Sequence, residues 1–93
     1  MAIRFVRERE LLYLLGKRRS TKNNDIRRGL LPRGVPLGPR EIGWPEHEIE
    51  AINCARLRGA SAEDVKALVT KLEAERLAYG ADHDHQHQQE LSP

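Results

Sequence analysis

Four aromatic residues, Phe5, Tyr13, Trp44 and Tyr79, are all that this 93-residue chain contains. A domain this small builds a small core, so each large ring that enters it carries weight. Cysteine occurs once, at Cys54. That excludes an intramolecular disulfide and suits a reducing compartment, where a lone thiol is expected as a small buried filler. No run approaches the roughly 18 apolar residues of a membrane span, and Met1-Ala2-Ile3-Arg4 shows neither the apolar stretch nor the cleavage site of a signal peptide. A cytoplasmic, unprocessed, soluble protein is the expectation. The chain also lacks a glycine-rich phosphate loop, a nucleophile beside a base, and a carboxylate pair in a plausible pocket. Nothing supports an enzyme or a bound cofactor.

Acids are scarce in one half only. Residues 1–40 hold eleven Lys/Arg against three acids, a net +8, whereas residues 41–93 hold five against eleven, a net −6. The total of +2 hides this division. A basic block of this size is the electrostatic footprint of a polyanion binder, and the acidic remainder argues against a protein that coats nucleic acid over its whole surface.

The pattern of apolar residues and punctuators predicts mainly helix with one small hairpin. Phe5-Val6 reads as a short strand or an anchor for the terminus. Leu11, Leu12, Leu14 and Leu15 form the stripe of a helix over 8–15, with Glu8 and Glu10 favourable in its first turn and Gly16 as its stop. After the basic turn Lys17-Arg18-Arg19, Ser20 or Thr21 is a candidate N-cap for a polar helix running to Arg28 and stopped by Gly29. Ile26 is its one large apolar residue, so packing must hold it. Val35-Pro36-Leu37 and Ile42-Gly43-Trp44 flank the turn Gly38-Pro39-Arg40-Glu41, a hairpin that Pro36 confines to a two-stranded ribbon. Pro45 suits the first turn of a helix over Glu46 to about Gly59. Ser61 and Asp64 resemble a capping box opening a last helix, which is expected to end at Gly80.

Helix, basic turn, short polar helix, ribbon and helix make the layout of a winged helix-turn-helix with an added C-terminal helix. Such a domain presents its second helix to base edges in the major groove and its ribbon to phosphates or the minor groove. Asn23 and Asn24 are chemically suited to read adenine, because an amide bonds that base at two points. Arg18, Arg19 and Lys22 suit phosphates, and Arg40 sits at the ribbon tip. Residues 1–59 are expected as the DNA-binding domain, 60–80 as an amphipathic helix and 81–93 as a disordered tail.

Arg4-Phe5-Val6-Arg7, Arg19-Ser20-Thr21 followed by Gly29, Leu37-Gly38-Pro39-Arg40 and Gly43-Trp44-Pro45-Glu46-His47-Glu48-Ile49 resemble the AlpA-type regulators of phages and mobile elements. These belong to the excisionase/MerR-like winged-helix superfamily. The resemblance covers roughly residues 4–56, and the segment from Leu37 to Ile49 is its specific part. It implies a regulator of transcription, a recombination directionality factor, or both. It also implies double-stranded DNA as partner, homo-oligomers on DNA, an integrase supplied elsewhere, and a nucleoid location. The residues expected at DNA are Arg18, Arg19, Ser20, Thr21, Lys22, Asn23, Asn24, Arg27 and Arg40.

Several features have plainer readings. The arginines can be a solvated surface, and the two asparagines simple turn formers. Trp44 is expected in the core. Leu68, Val69 and Leu72 either pack on the domain or mediate self-association. His83, His85 and His87 alternate, but without a rigid frame they make no metal site. A rival from another class is a protein-interaction adaptor that docks a partner through the acidic helical half.

Overall fold

In a computed structural model, the backbone is described for residues 2–91 and the side chains for residues 2–79. The chain order is β1 (Phe5–Val6), α1 (Glu8–Leu15), α2 (Arg19–Arg27), β2 (Val35–Gly38), β3 (Glu41–Pro45), α3 (Glu46–Leu57) and α4 (Ala62–Leu91). This is a winged helix-turn-helix followed by a C-terminal helix, the expected fold class.

α1 occupies the expected residues. It buries Leu11 and Leu15 and ends at Gly16, whose φ of 66° lies in the left-handed region that glycine enters without a Cβ clash. α2 begins two or three residues earlier than a Ser20 or Thr21 cap would place it. Its N-cap is Arg18, which makes no side-chain cap, so Ser20 and Thr21 are first-turn residues. The turn closes through its backbone, where the Lys22 N–H donates to the Arg18 carbonyl at 2.9 Å. The helix stops at Arg27, and Gly29 (φ 76°) reverses the chain.

The hairpin is present but is not an isolated ribbon. β3 pairs antiparallel with β2 on one side and with β1 on the other, giving the order β1-β3-β2. Two residues sufficed for a third strand because Phe5 and Val6 lie opposite Pro45 and Trp44. The Glu46 N–H donating to the Arg4 carbonyl at 2.8 Å extends the pairing. Pro36 does sit on the edge strand, where its missing N–H leaves no gap in the ladder. A bulge lies between Pro36 and Gly38.

Val6, Leu11, Leu15, Leu31, Trp44 and Ile49 form the first core cluster, with Ile26 packed against it. Trp44 is buried as expected, and its indole N–H donates to the Pro32 carbonyl at 3.0 Å. A second cluster joins Ile52 of α3 to Val65, Val69 and Leu72 of α4, with Leu68 packed on its margin. The apolar stripe of α4 is therefore consumed inside the molecule. Of the two expected readings of Leu68, Val69 and Leu72, packing on the domain and self-association, the structure shows the packing. Cys54 departs from its expected burial. It is exposed, because α3 turns Ile49, Ile52 and Ala55 inward.

The capping box forms reciprocally: the Asp64 N–H donates to Ser61 Oγ (3.1 Å), and the Ser61 N–H to Asp64 Oδ2 (3.4 Å). α4 continues past Gly80, since one glycine costs a helix about 1 kcal/mol without forbidding its dihedrals. The side chains from residue 80 onward, including those of the tail expected over 81–93, lie outside the described residues.

One connection was not anticipated. Glu48, in the first turn of α3, is fully buried and receives two hydrogen bonds from the Arg76 guanidinium of α4, at 2.8 and 2.6 Å. Arg76 also donates to the Arg33 carbonyl (2.8 Å), while the Arg33 N–H donates to Glu73 (2.9 Å). The segment leading into the wing is thus held both by α4 and by Trp44.

Two stability outcomes follow from this packing. Glu48→Ala strands the Arg76 charge against the core and is expected to cost about 3–5 kcal/mol in urea-induced unfolding. A loss under 1 kcal/mol would show the pair to be solvated. Trp44→Ala should also cost about 3–5 kcal/mol, because it opens a cavity where three strands and α1 meet. An unchanged melting midpoint would show that the indole contributes no packing.

Candidate nucleic-acid interface

α2 presents a polar outer stripe because its anchoring residues are themselves charged. Lys22 and Asp25 point inward and are buried. Ser20, Asn23, Asn24 and Arg27, spaced at i, i+3, i+4 and i+7, share the opposite face and are exposed, with Arg19 and Thr21 exposed on its flanks. Of the residues expected at DNA, Lys22 therefore changes role. Its ammonium pairs with Glu8 of α1 and lies 5.1 Å from the centroid of the Trp44 ring, inside the molecule. A lysine at this depth is too enclosed to reach a phosphate. It locks α2 to α1 and to β3.

Asp25 is held by Lys17 from the inter-helix turn, with Arg56 of α3 at 3.9 Å. Glu8 receives Lys22 and also Arg19, the latter at 2.6 Å. The hydrogen bond from Lys22 does most to hold the Glu8 carboxyl below its ordinary range, and Arg19 adds to it, against a smaller opposing push from burial. Glu10 pairs with Arg4 at 2.9 Å. All three acids of the basic half are thus engaged. Among the described residues, no carboxylate lies within ion-pair distance of Arg9, Arg18, Arg27, Arg28 or Arg40, whose charges face solvent.

Arg40 occupies the two-residue turn at the wing tip, as expected, and Arg18 is exposed at the start of α2. Between α2 and the wing runs a groove of about 610 Å³. Arg7, Arg9, Arg33 and Arg40 line it, with Asn23 on its α2 wall and Ile42 and Trp44 on its wing side. Gly34 lets the chain pack close against that side: a Cβ there would fall 2.2 Å from Ile42 and 3.1 Å from the indole ring. Sequence reasoning counted Arg7, Arg9 and Arg33 in the basic block without assigning them a place. Arg33 is distant in the chain from Arg7 and Arg9, and the fold, with the β1–β3 pairing and the clamp from α4, brings it to them.

No group of His, Cys, Asp or Glu among the described residues could hold a metal ion. The alternating histidines at 83, 85 and 87 lie outside the residues whose side chains are described. No described helix is long and apolar enough to cross a membrane.

The Glu8 pair makes stability pH-dependent in a defined direction. A carboxyl whose folded pKa lies below its ordinary value of 4.5 contributes stability above that value and loses it as pH falls through the folded value. Glu8→Gln should therefore be less stable than the parent at pH 7, and the gap should close in acid. Thermal melts of both proteins across this range test it, and a gap independent of pH would show that the charge is not involved.

Known proteins bear on this geometry in three ways. Residues 4–52, slightly more than half of the chain, match the family described as prophage CP4-57 regulatory protein (AlpA). An uncharacterized protein, ORF88 of Enterobacteria phage P4, is 38% identical over 56 residues, which span 60% of this chain and 64% of that protein. No solved structure matches. The matched residues run from β1 through both helices of the helix-turn-helix and the wing into α3, so the chain belongs to the AlpA family of phage regulatory proteins.

Proposed function

We propose that this protein is a sequence-specific binder of duplex DNA from a mobile element, acting as an excision factor that binds and bends DNA near an attachment site. One observation carries the DNA reading: the outward stripe of α2 and the wing tip at Arg40 lie on either side of a groove lined by arginines. In this reading the exposed Asn23 and Asn24 contact base edges. Arg18, Arg19, Arg27 and Arg40 supply phosphate contacts, and Ser20 and Thr21 are hydrogen-bond donors at the start of the helix. Membership of a regulatory family favours a second reading, action at a promoter, and the same surface serves both.

A single module of this size buries on the order of 600–1,000 Å² on DNA, so tight binding calls for several protomers on adjacent sites. With the α4 stripe occupied internally, these contacts use other surfaces or arise from the DNA itself. An integrase would be the partner for excision.

Affinity is expected to fall with salt at about −0.9 in log–log slope per phosphate contacted, giving about −4 to −5 for 4–6 contacts per protomer. A flat salt response would overturn the DNA reading. Asn23→Ala and Asn24→Ala should each reduce discrimination between specific and random duplexes by about 1–3 kcal/mol. Unchanged discrimination would mean that α2 does not read sequence. Footprinting separates the two roles: a phased array beside an attachment site indicates excision, and one protected site at a promoter indicates transcriptional control.

A further inference from the structure

The groove between α2 and the wing contains more charge than the helix-and-wing reading needs. Five basic residues line it, Arg7, Arg9, Lys22, Arg33 and Arg40, against one acid, Glu8. Lys22 and Glu8 neutralise each other at its inner end, which leaves four guanidinium groups. They come from the start of α1, the segment before β2 and the wing turn, so the groove is walled on several sides by positive charge. Its apolar side, Ile26, Ile42 and Trp44, offers no competing anion. We propose that this groove is a phosphodiester-binding cleft, in which Arg9 and Arg33 grip the backbone of the DNA strand that passes between the base-reading helix and the wing. The proposal rests on the DNA-binding reading and adds residues to it.

The two arginines are available to a phosphate for different reasons. Arg9 has no carboxylate within ion-pair distance among the described residues, and its side chain is exposed on α1. Arg33 is exposed, but its backbone is held at both ends by α4: its N–H donates to Glu73, and its carbonyl accepts from Arg76. Its guanidinium lies 3.9 Å from Glu73, a loose solvent-facing pair that a phosphate can displace. A guanidinium matches two phosphate oxygens at once, and fixing its backbone in advance lowers the ordering cost on binding. Arg7 is partly answered by Glu41 at 4.0 Å, which makes it the weaker contributor.

The test compares Arg9→Ala and Arg33→Ala with Arg58→Ala, an exposed arginine following α3 outside the cleft. Binding to a cognate and to a random duplex is measured over a range of salt, with melts to confirm folding. Each cleft variant should weaken both duplexes by a similar factor and flatten the salt slope by about 0.9, while Arg58→Ala leaves both unchanged. If the parent binds with a steep slope and neither cleft variant changes it, the cleft is overturned and the DNA reading stands. If the parent shows no salt-dependent binding to duplex, the DNA reading itself fails. Inorganic pyrophosphate is the second arm. Arg33-dependent binding of pyrophosphate, with duplex binding indifferent to Arg33, would make this a small-anion site and would overturn the backbone assignment.

Discussion

Lys22 sits where a helix of this composition would ordinarily place an aliphatic residue. α2 carries Ile26 as its one large apolar side chain, which is too little buried surface to hold eight polar residues against a domain. The ammonium replaces that surface with a charge paired to Glu8 and set over the face of Trp44. A cation over an indole contributes more when it is shielded from water, and here one side chain reaches both α1 and the sheet. The outer face of α2 is left free to be wholly polar because attachment is handled by ions within. Removing Glu8 would leave the buried Lys22 ammonium without an opposite charge, whereas Glu8 without Lys22 would keep Arg19, so the helix-turn-helix geometry and the wing depend most on this lysine being paired.

A second ionic tie works at longer range. The family match ends at residue 52, yet α4 lies beyond it and grips matched residues. Glu48 and Arg33 both receive hydrogen bonds from Arg76, and Ile52 shares a core with Val65, Val69 and Leu72. The C-terminal helix therefore belongs to the same folded body as the winged unit. It braces the segment before β2, which Trp44 also holds, so the wing is held at its base while its tip stays exposed.

The helices and the hairpin were legible because local chemistry specifies them. Glycine at 16 and 29, the reciprocal Ser61–Asp64 cap and the turn at Gly38 to Glu41 all act within a few residues. What escaped was decided between segments. Lys22 reads as a surface lysine until Glu8 and Trp44 are brought beside it. Glu48 reads as ordinary helix-start charge until Arg76 arrives from 28 residues away. Cys54 was misread because a small thiol is usually buried, whereas the inward face of α3 was already filled by its neighbours. In the candidate interface, Asn23, Asn24, Arg27 and Arg40 emerged on the exposed side, as their chemistry suggested. Arg9 and Arg33 come to line one groove only through the meeting of separate elements.

The single indole has an optical consequence. Trp44 is enclosed in the core, donates its N–H to a carbonyl, and borders the arginine-lined groove with a cation above its ring. With no other tryptophan in the chain, the indole emission of this protein, excited selectively from that of Tyr13 and Tyr79, comes from one address. Its wavelength registers whether the junction of helix, sheet and wing is dry. Its intensity registers the positive charge beside it and any polyanion drawn into the adjoining groove. The residue that holds the wing in place is thus also a built-in reporter of what the wing meets.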